Sequence, residues 1–333
     1  MNAQSYIAKL LNFRVDHATF SNAFLRTYSH AAMSAPTQLI FVAGPTRVGK
    51  TTLGKRLAHD LILPSQSEDG VIPLVRVEAA TTNQAKFSTK HFTLRMLEEL
   101  ADPVSATGEG ISIRHSQSET HLRIQLERCI RHRKTRFLLV DEAQHLLRTT
   151  AGVRPGEVID TLKSLANATG LTVVLMGGYE LLGACIESPH LNGRLTIIDF
   201  PPYGDDETSI AEFDRVMLTL GKLLPIKSDF LPRNREFLYR ESLGCVGLLF
   251  GWSMKALAEM GVRSQRELRL EHFKATRYPI QNRAIAKEIA FGAELLGREP
   301  TAPALQVAKQ PSSRKGRPFV RKPVRDPGPE SRK

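Results

Sequence analysis

The sequence predicts an α/β fold in which five parallel strands alternate with helices, followed by a smaller all-helical region. Short apolar runs alternate with helical patterns between residues 37 and 200, as in a parallel sheet covered by helices. After Pro201 the strand-like runs stop, and apolar residues recur at the i, i+3 and i+7 spacing of helices. The five predicted strands are residues 39–43, 74–77, 137–140, 172–176 and 195–198.

Helices are predicted from apolar spacing and from the positions of prolines. Apolar side chains near the N-terminus predict two short helices, and a further helix over residues 52–63 ends at Pro64. Later helices are expected near residues 210–220, 246–260 and 279–296. We therefore expect four segments, namely an N-terminal helical segment (1–36), the α/β core (37–200), a helical domain (201–297) and a tail (298–333).

The tail carries most of the excess of positive over negative charge. The whole chain has a net charge of +12, and residues 301–333 contain nine basic and two acidic residues together with six prolines. A basic, proline-rich segment with few apolar residues is typical of disorder. Two roles stay open for it, because charge composition specifies no sequence: a solubilising tail, or a docking segment for a polyanion or partner.

The composition also excludes several classes of protein. No apolar stretch approaches the roughly 20 residues that span a bilayer, and the N-terminus lacks the basic-then-apolar pattern of a signal peptide. We therefore expect a cytoplasmic protein with no membrane partner. The ten histidines show no metal-ligand spacing. The three cysteines are expected to be reduced core thiols: Cys129, Cys185 and Cys245.

A phosphate-binding loop follows the first predicted strand. Residues 44–51 match the pattern G-x-x-x-x-G-K-[ST] at every fixed position, between a strand and a helix. In this pattern Lys50 reaches the β- and γ-phosphates and the Thr51 hydroxyl binds Mg²⁺, so ATP and Mg²⁺ are the expected cofactors. The predicted nucleotide-binding residues are Gly44, Pro45, Thr46, Arg47, Val48, Gly49, Lys50, Thr51 and Thr52.

An acidic pair follows the third predicted strand. Asp141 is the expected second Mg²⁺ ligand, and Glu142 is expected to orient or deprotonate the water that attacks the γ-phosphate. The alternative is an exposed pair that caps the next helix, since acids are favoured at helix N-termini. Together with the loop, the pair favours hydrolysis over phosphoryl transfer to a small molecule.

Arg194 is the candidate for stabilising charge on the transferring phosphoryl group, a role that arginines often fill from a neighbouring subunit. It lies in the segment just before the fifth predicted strand. A solvated loop arginine is an equally good interpretation of its position.

Several further blocks resemble those of a known family, the TniB/TnsC-like AAA+ ATPases that regulate target selection in transposons. The resemblance extends over roughly residues 13–260. Residues 190–194 resemble the arginine-finger region of that family and residues 177–182 its sensor turn. The other matching blocks are residues 15–20 (VDHATF), 137–147 (FLLVDEAQHLL), 161–167 (TLKSLAN) and 199–203 (DFPPY).

The resemblance implies an AAA+ core with a helical lid, and a regulator rather than a DNA-cutting enzyme. Members of this family form homo-oligomers on double-stranded DNA when ATP is bound, recruit the transposase and disassemble through hydrolysis. The resemblance also implies a partner that chooses the site, and it leaves open whether that partner is a target-selector protein or an RNA-guided complex. Ring and helical filament both remain open.

The sequence departs from related proteins at two places. Residues 177–179 (GGY) carry no polar sensor of the usual kind after the fourth strand, and residues 244–248 (GCVGL) lack the arginine that many AAA+ proteins place in the lid. We therefore expect slow hydrolysis without a partner.

Candidate DNA contacts lie between the second strand and the next helix. They are Lys86, Lys90 and Arg95, of which Lys86 and Lys90 share a face if that stretch is helical. A second basic group is more typical of a solvated helix face: Arg123, Arg131 and Lys134. Because aromatic residues are sparse among them, duplex DNA held by its phosphates is favoured over single strands.

Two other functions share these features. A helicase loader or replication-initiator ATPase would use the same nucleotide residues and differ in its partner. A nucleotide-gated protein adaptor would bind ATP without DNA or hydrolysis, although Glu142 argues against it.

Overall fold

The computed structural model describes residues 3–33, 37–63, 69–81, 86–101, 117–148, 155–186 and 195–309 of the chain. Its centre is a five-stranded parallel sheet with the strand order β2-β3-β4-β1-β5. The predicted strands are confirmed, with ends that differ by at most one residue: β1 Leu39–Ala43, β2 Leu74–Glu78, β3 Phe137–Asp141, β4 Thr172–Gly177 and β5 Leu195–Asp199.

The strand register brings the functional segments to one edge of the sheet. Ala43 pairs with Gly177 on one side and with Asp199 on the other, while Glu78 pairs with Asp141. Strand β4 therefore separates β1, which precedes the phosphate loop, from β3, which precedes the acidic pair. The loop, the acids and the end of β4 meet at the carboxyl edge, where open parallel sheets bind their ligands.

Helices cover both faces of the sheet because alternate strand residues point to opposite sides. The helices between β2 and β5 pack on one face, and the two helices that flank β1 pack on the other. The two N-terminal helices that the sequence predicts are present. The helices up to β5 are α1 Ala3–Asn12, α2 Ala18–Met33, α3 Lys50–Ile62, α4 Thr89–Glu99, α5 Glu119–His132, α6 Pro155–Thr169 and α7 Tyr179–Ile186.

A helical region follows β5, as predicted. Its core contains Phe213, Trp252 and Phe273, and Leu10 from α1 joins the same cluster. The Trp252 indole donates a hydrogen bond to the Phe273 carbonyl at 3.0 Å. The helices are α8 Glu207–Gly221, α9 Phe230–Ser242, α10 Val246–Val262, α11 Leu270–Ala275, α12 Pro279–Leu295 and α13 Ala302–Lys309.

The structure corrects the predicted start of the tail. Disorder was expected from residue 298, but α13 forms a helix whose Ala304 is fully buried in a cluster with Ile285 and Ile289 of α12. The average composition of the tail hid this short apolar segment at its beginning. Residues 310–333 lie outside the described residues, so their disorder stays a prediction, as do the domain boundaries.

The three cysteines are free and buried, as predicted. Burial raises the pKa of the Cys185 and Cys245 thiols to about 12, so both stay protonated. Within the described part of the chain, no helix taken singly is long and apolar enough to cross a membrane. One pair, α9 and α10, meets that test of length and composition together, across a bend of 114°.

Candidate nucleotide-binding site

The phosphate loop joins β1 to α3 at the carboxyl edge of the sheet. Its backbone enters the left-handed region at Arg47, with φ of 69°, and again at Gly49, with φ of 122°. A glycine is suited to the second of these positions because a side chain there is strained. Such a backbone turns successive amide groups inward, which forms a concave anion site at the start of α3.

Lys50 is buried at the first position of α3. Its ammonium group donates hydrogen bonds to the carbonyl oxygens of Gly44 at 2.7 Å and Pro45 at 2.8 Å. Burial lowers the pKa of Lys50, while the charges of Glu288, Glu142 and Asp141 oppose that shift. The ammonium group is thus folded over the loop, where phosphate oxygens would replace the two carbonyls as its partners.

The structure brings Thr51 and Asp141 together, as their expected joint role requires. The Thr51 hydroxyl lies 3.5 Å from Asp141 Oδ1, which also accepts the Glu142 backbone amide at 3.0 Å. Asp141 is buried at the end of β3. Glu142 has φ of 52° and makes no side-chain cap on the short 3-10 helix Ala143–Leu147, so the geometry disfavours the capping interpretation.

Gln144 fixes the Glu142 side chain, a role that the sequence reasoning missed. Its amide nitrogen donates to Glu142 Oε2 at 2.5 Å, and its amide oxygen accepts the Gly178 backbone N–H at 3.2 Å. Gln144 therefore joins the acid after β3 to the end of β4, where the sequence has no polar sensor of the usual kind. Its position three residues after Asp141 is the signal that would have indicated it.

Arg76 of β2 is a second residue that the sequence reasoning missed. Its guanidinium group lies 3.0 Å from Asp141 Oδ2 and neutralises the oxygen that faces away from Thr51. The Arg76 Nε atom is buried, and no hydrogen-bond partner for it is present in the described part of the chain. The sequence signal is a single arginine inside an otherwise apolar strand.

A cavity of about 270 Å³ lies on the other side of the loop. Its lining includes Phe13, Val15, His17 and Phe250 of α10, and the Phe13 and Phe250 rings stack with their centroids 6.4 Å apart. The loop side consists of Val48, Gly49 and Thr52. An apolar cavity that adjoins a phosphate loop suits the base of a nucleotide.

His17 fixes the segment of residues 13–17 that lines this cavity. Its Nδ1 atom lies 3.1 Å from the Tyr203 hydroxyl, which joins the segment before α2 to the start of the helical region. Burial lowers the pKa of His17 to about 4, against the opposing charge of Asp16. The ring is therefore neutral at neutral pH.

The helical region contacts the loop at two points. At the start of α10, a Cβ atom added to Gly247 would lie 2.3 Å from the Arg47 carbonyl oxygen, so no side chain fits there. From α12, Glu288 Oε2 accepts the Thr46 backbone N–H at 3.0 Å. The helical region thus meets the loop through a close backbone approach and through a carboxylate.

The residues present fit ATP with Mg²⁺. The Glu288 carboxylate shows that a loop amide binds an anion, and Thr51 with Asp141 offers the oxygen ligands that Mg²⁺ prefers. The described residues contain no cluster of three or more His, Cys, Asp or Glu side chains that could hold a metal ion. A magnesium ion that relies on one or two protein ligands plus phosphates and water needs no such cluster.

The structure tests the proposed arginine finger and the first group of DNA-contact candidates to different extents. Arg194 lies outside the described residues. Lys86 precedes Ser88, whose side chain caps α4 by accepting the His91 N–H, so the helical face expected for Lys86 and Lys90 does not form. Arg95 is half exposed on α4 and lies 3.9 Å from a Glu98 oxygen.

The second basic group is engaged in internal contacts. Arg123 donates to Glu127 at 2.7 Å and to the Thr161 carbonyl at 3.3 Å, and Arg131 donates to the Ala168 carbonyl at 2.7 Å. The bonds to the two carbonyls join α5 to α6, and the bond to Glu127 lies within α5. Lys134 follows α5 in a left-handed turn with φ of 51°. The contacts favour the structural interpretation over DNA binding for the two arginines.

The fold and site define a class of protein, the P-loop nucleoside triphosphatases. A phosphate loop between β1 and α3 faces an acidic pair at the end of β3, which is the arrangement that binds a triphosphate with Mg²⁺. Within that class, a family described as "AAA domain" matches residues 34–184. This range contains the loop and the acidic pair, and together they indicate nucleotide hydrolysis.

Similar solved structures support the AAA+ fold. The ORC1 protein of Aeropyrum pernix in complex with DNA has a TM-score of 0.55 at 16% identity, over 83% of this chain and 68% of that one. Drosophila ORC bound to DNA has a TM-score of 0.54 at 15% identity, over 92% and 82% of the two chains. A Walker-type ATPase of Pyrococcus abyssi has a TM-score of 0.50 at 15% identity, over 86% and 79%.

At these identities the likeness shows the fold alone. No curated protein matches the chain. The predicted fold class is confirmed: an AAA+ P-loop fold with a five-stranded parallel sheet and a helical region after it.

Proposed function

We propose that this protein is an ATP-dependent, DNA-binding regulator of DNA transposition in the TniB/TnsC-like class. The resemblance over roughly residues 13–260 supports this class because it extends beyond the AAA domain at 34–184. In this proposal the protein forms a homo-oligomer on target DNA, recruits or activates the transposase and is reset by hydrolysis. A target-selector protein or an RNA-guided complex would choose the site.

ATP hydrolysis is supported by one observation: Gln144 fixes the Glu142 carboxylate by a hydrogen bond, next to the pair formed by Thr51 and Asp141. Thr51 and Asp141 would hold Mg²⁺, which neutralises charge on the phosphates when bound. Lys50 would exchange its two carbonyl partners for phosphate oxygens. Glu142 would orient the attacking water and accept its proton, while Gln144 keeps the carboxylate in place.

DNA binding is supported by the net positive charge of the chain and by similar structures that contain DNA. The net charge of +12 favours a polyanionic partner, and two of the similar proteins are described in complex with DNA. Lys86, Lys90 and Arg95 stay our candidates for phosphate contacts. Such contacts would position the protein on the duplex without specifying its sequence.

Completion of the site between subunits would explain a low basal rate. Gly247 leaves no room for a side chain at that point of the lid, and the Arg76 guanidinium is engaged with Asp141, so we infer that charge for the terminal phosphate comes from Lys50 and from outside the protomer. Arg194 of a neighbouring protomer would supply that charge in an assembled ring or filament. Slow turnover by the isolated protein and faster turnover on DNA follow from this arrangement.

A replication-initiator or helicase-loader function is the second candidate. The observation that favours it is the fold similarity to the ORC1 protein of Aeropyrum pernix and to Drosophila ORC. The nucleotide chemistry would be the same in both functions. The partner separates them, because a transposition regulator stimulates integration by a transposase and a loader delivers a helicase.

The direct test is binding of the purified protein to duplex DNA with ATP, ADP or no nucleotide, in a series of salt concentrations. We expect ATP-dependent binding that falls by about 10³-fold or more between 50 and 200 mM salt if about six phosphates are contacted. Lys50→Ala should abolish it, whereas Lys55→Ala, which changes an exposed lysine on the same helix, should not. Absence of ATP-dependent binding at low salt would favour the nucleotide-gated adaptor.

A second experiment decides between the two DNA-linked functions. The protein is combined with the transposase and target selector of a TniB/TnsC-type transposon and with donor and target DNA, and integration is measured with and without ATP. Stimulated integration supports the transposition regulator. Helicase loading without stimulated integration would support the initiator-type function instead.

A further inference from the structure

A carboxylate from the C-terminal helices reaches into the phosphate loop. Glu288 lies in the middle of α12 and is 242 residues away from Thr46 in the chain, yet its Oε2 accepts the Thr46 backbone N–H at 3.0 Å. Loop amides of this kind are the groups that bind phosphate oxygens. The protein therefore places one of its own anions on a phosphate-binding donor.

The position of Glu288 corresponds to the terminal-phosphate end of the site. The cavity suited to the base adjoins Val48, Gly49 and Thr52, so a bound nucleotide would extend from there along the loop toward Thr46. A Cβ atom added to Gly178 would lie 2.8 Å from Glu288 Oε1, and the Gly178 amide is bonded to the Gln144 side chain that holds Glu142. Glu288 thus lies on the side where hydrolysis would take place.

The helix that carries Glu288 is firmly seated on the core. Gly292 of α12 lies against the face of the Tyr179 ring, so closely that an added Cβ atom would be 2.2 Å from it. The Tyr179 hydroxyl donates to Asp199 at 3.0 Å and lies 3.3 Å from the Arg298 guanidinium. On its other side α12 packs against α13 through Ala304. A displacement of Glu288 would therefore affect both C-terminal helices.

Lys50 lies beside the same loop and is likewise bonded to groups of the protein. Its ammonium group is bonded to two loop carbonyls, and the negative charge of Glu288 is the foremost of the charges that favour its protonated form. A triphosphate brings negative charge to the same place. The terminal phosphate and the Glu288 carboxylate then compete for one amide and repel each other.

We propose that Glu288 occupies the place of the terminal phosphate and so determines how strongly the protein prefers ATP over ADP. ADP leaves the contact between Glu288 and Thr46 intact, whereas ATP must displace the carboxylate and loosen α12 from the core. Binding of the third phosphate would in this way change the packing of α12 and α13. This inference rests on the proposed nucleotide-binding function and adds a residue that senses the nucleotide state.

The test compares Glu288→Gln with the full-length wild-type protein, using fluorescent ATP and ADP analogues. The substitution keeps the shape of the side chain and removes its charge, so we expect ATP to bind about tenfold more tightly. ADP affinity should change less than about threefold because its phosphates lie farther from the carboxylate. Glu294→Gln is the matched control, since Glu294 is exposed on the same helix.

Unchanged or weaker ATP binding by a folded Glu288→Gln protein would overturn the inference, as would an equal gain for ADP. Glu288→Ala provides a second variant, with thermal unfolding used to confirm that each protein is folded. Failure of the proposed function has a different signature, because then the wild-type protein itself would bind no nucleotide.

Hydrogen exchange supplies an independent readout of α12. In the wild-type protein, a non-hydrolysable ATP analogue should increase amide exchange in residues 279–295, and ADP should not. Glu288→Gln keeps an acceptor for the Thr46 amide and removes the charge that repels the terminal phosphate, so the increase in exchange caused by the ATP analogue should be smaller in this variant than in the wild type. Exchange that is the same with ATP, with ADP and without nucleotide would contradict the proposed link.

Discussion

Replacing Gln144 with alanine tests whether Glu142 acts from a fixed position. The Gln144 amide bonds the Glu142 carboxylate at 2.5 Å and is itself anchored by the Gly178 N–H at 3.2 Å. Alanine removes both bonds without touching the loop, Thr51 or Asp141. Glu142 then keeps its charge and loses its orientation.

The size of the effect follows from the bond that is lost. A hydrogen bond to a charged group contributes about 1.5–3 kcal/mol. If that free energy holds Glu142 in its working orientation, its loss slows the chemical step by about 10- to 100-fold, since about 1.4 kcal/mol corresponds to a factor of ten. ATP affinity should change little because neither Lys50 nor the loop amides are altered.

Steady-state phosphate release measures kcat and KM, and a fluorescent ATP analogue measures binding separately. Gln4→Ala, which changes an exposed glutamine on α1, is the control and should behave as wild type. We expect a lower kcat at unchanged ATP affinity. A variant that turns over normally, or one that loses ATP binding while kcat is retained, would refute the assigned role of Gln144.

Three further results are expected. Glu142→Gln should bind ATP normally but hydrolyse it about 10²- to 10⁴-fold more slowly and persist on DNA, and normal phosphate release would remove Glu142 from its role. Gly247→Ala should lower the free energy of unfolding by about 1–3 kcal/mol because the added Cβ atom meets a loop carbonyl. Gly251 is on the same helix with open space around it, so Gly251→Ala should be neutral or stabilising in thermal melts. In the folded protein the pKa of His17 is lowered to about 4, so the ring is neutral at neutral pH. Between about pH 4 and 6.5 the unfolded chain therefore binds more protons than the folded one. As the pH falls through that window, up to about 3 kcal/mol of the free energy of unfolding is lost. Denaturant melts of wild type and His17→Asn should differ in this pH dependence, and identical slopes would contradict it.

The sheet and the phosphate loop could be predicted because their signals are local. Each strand is a short apolar run, and the loop pattern lies within eight consecutive residues. The Asp141–Glu142 pair was found in the same way, since it directly follows a strand. The end of α3 was also a local signal, because a proline at position 64 predicts that the helix stops before it.

Contacts between distant residues could not be predicted. Arg76 reaches Asp141 across 65 positions, and Glu288 reaches Thr46 across 242. Neither residue belongs to a motif, and each would be an ordinary charged side chain without its partner. The short helix α13 escaped prediction for a different reason, because its few apolar residues stand at the start of a strongly basic segment.

Both ends of the candidate nucleotide site are formed by segments outside the range of the AAA domain match. The base-side cavity has a wall from residues 13–17, and the terminal-phosphate end meets α12, while the AAA domain match covers only residues 34–184. A truncated protein with that range alone would retain every motif residue and still lack both end contacts. Proteins with an identical phosphate loop would therefore differ in nucleotide affinity and in their preference for ATP over ADP. Inhibitors that bind the residues 13–17 segment or α12 would discriminate among such proteins.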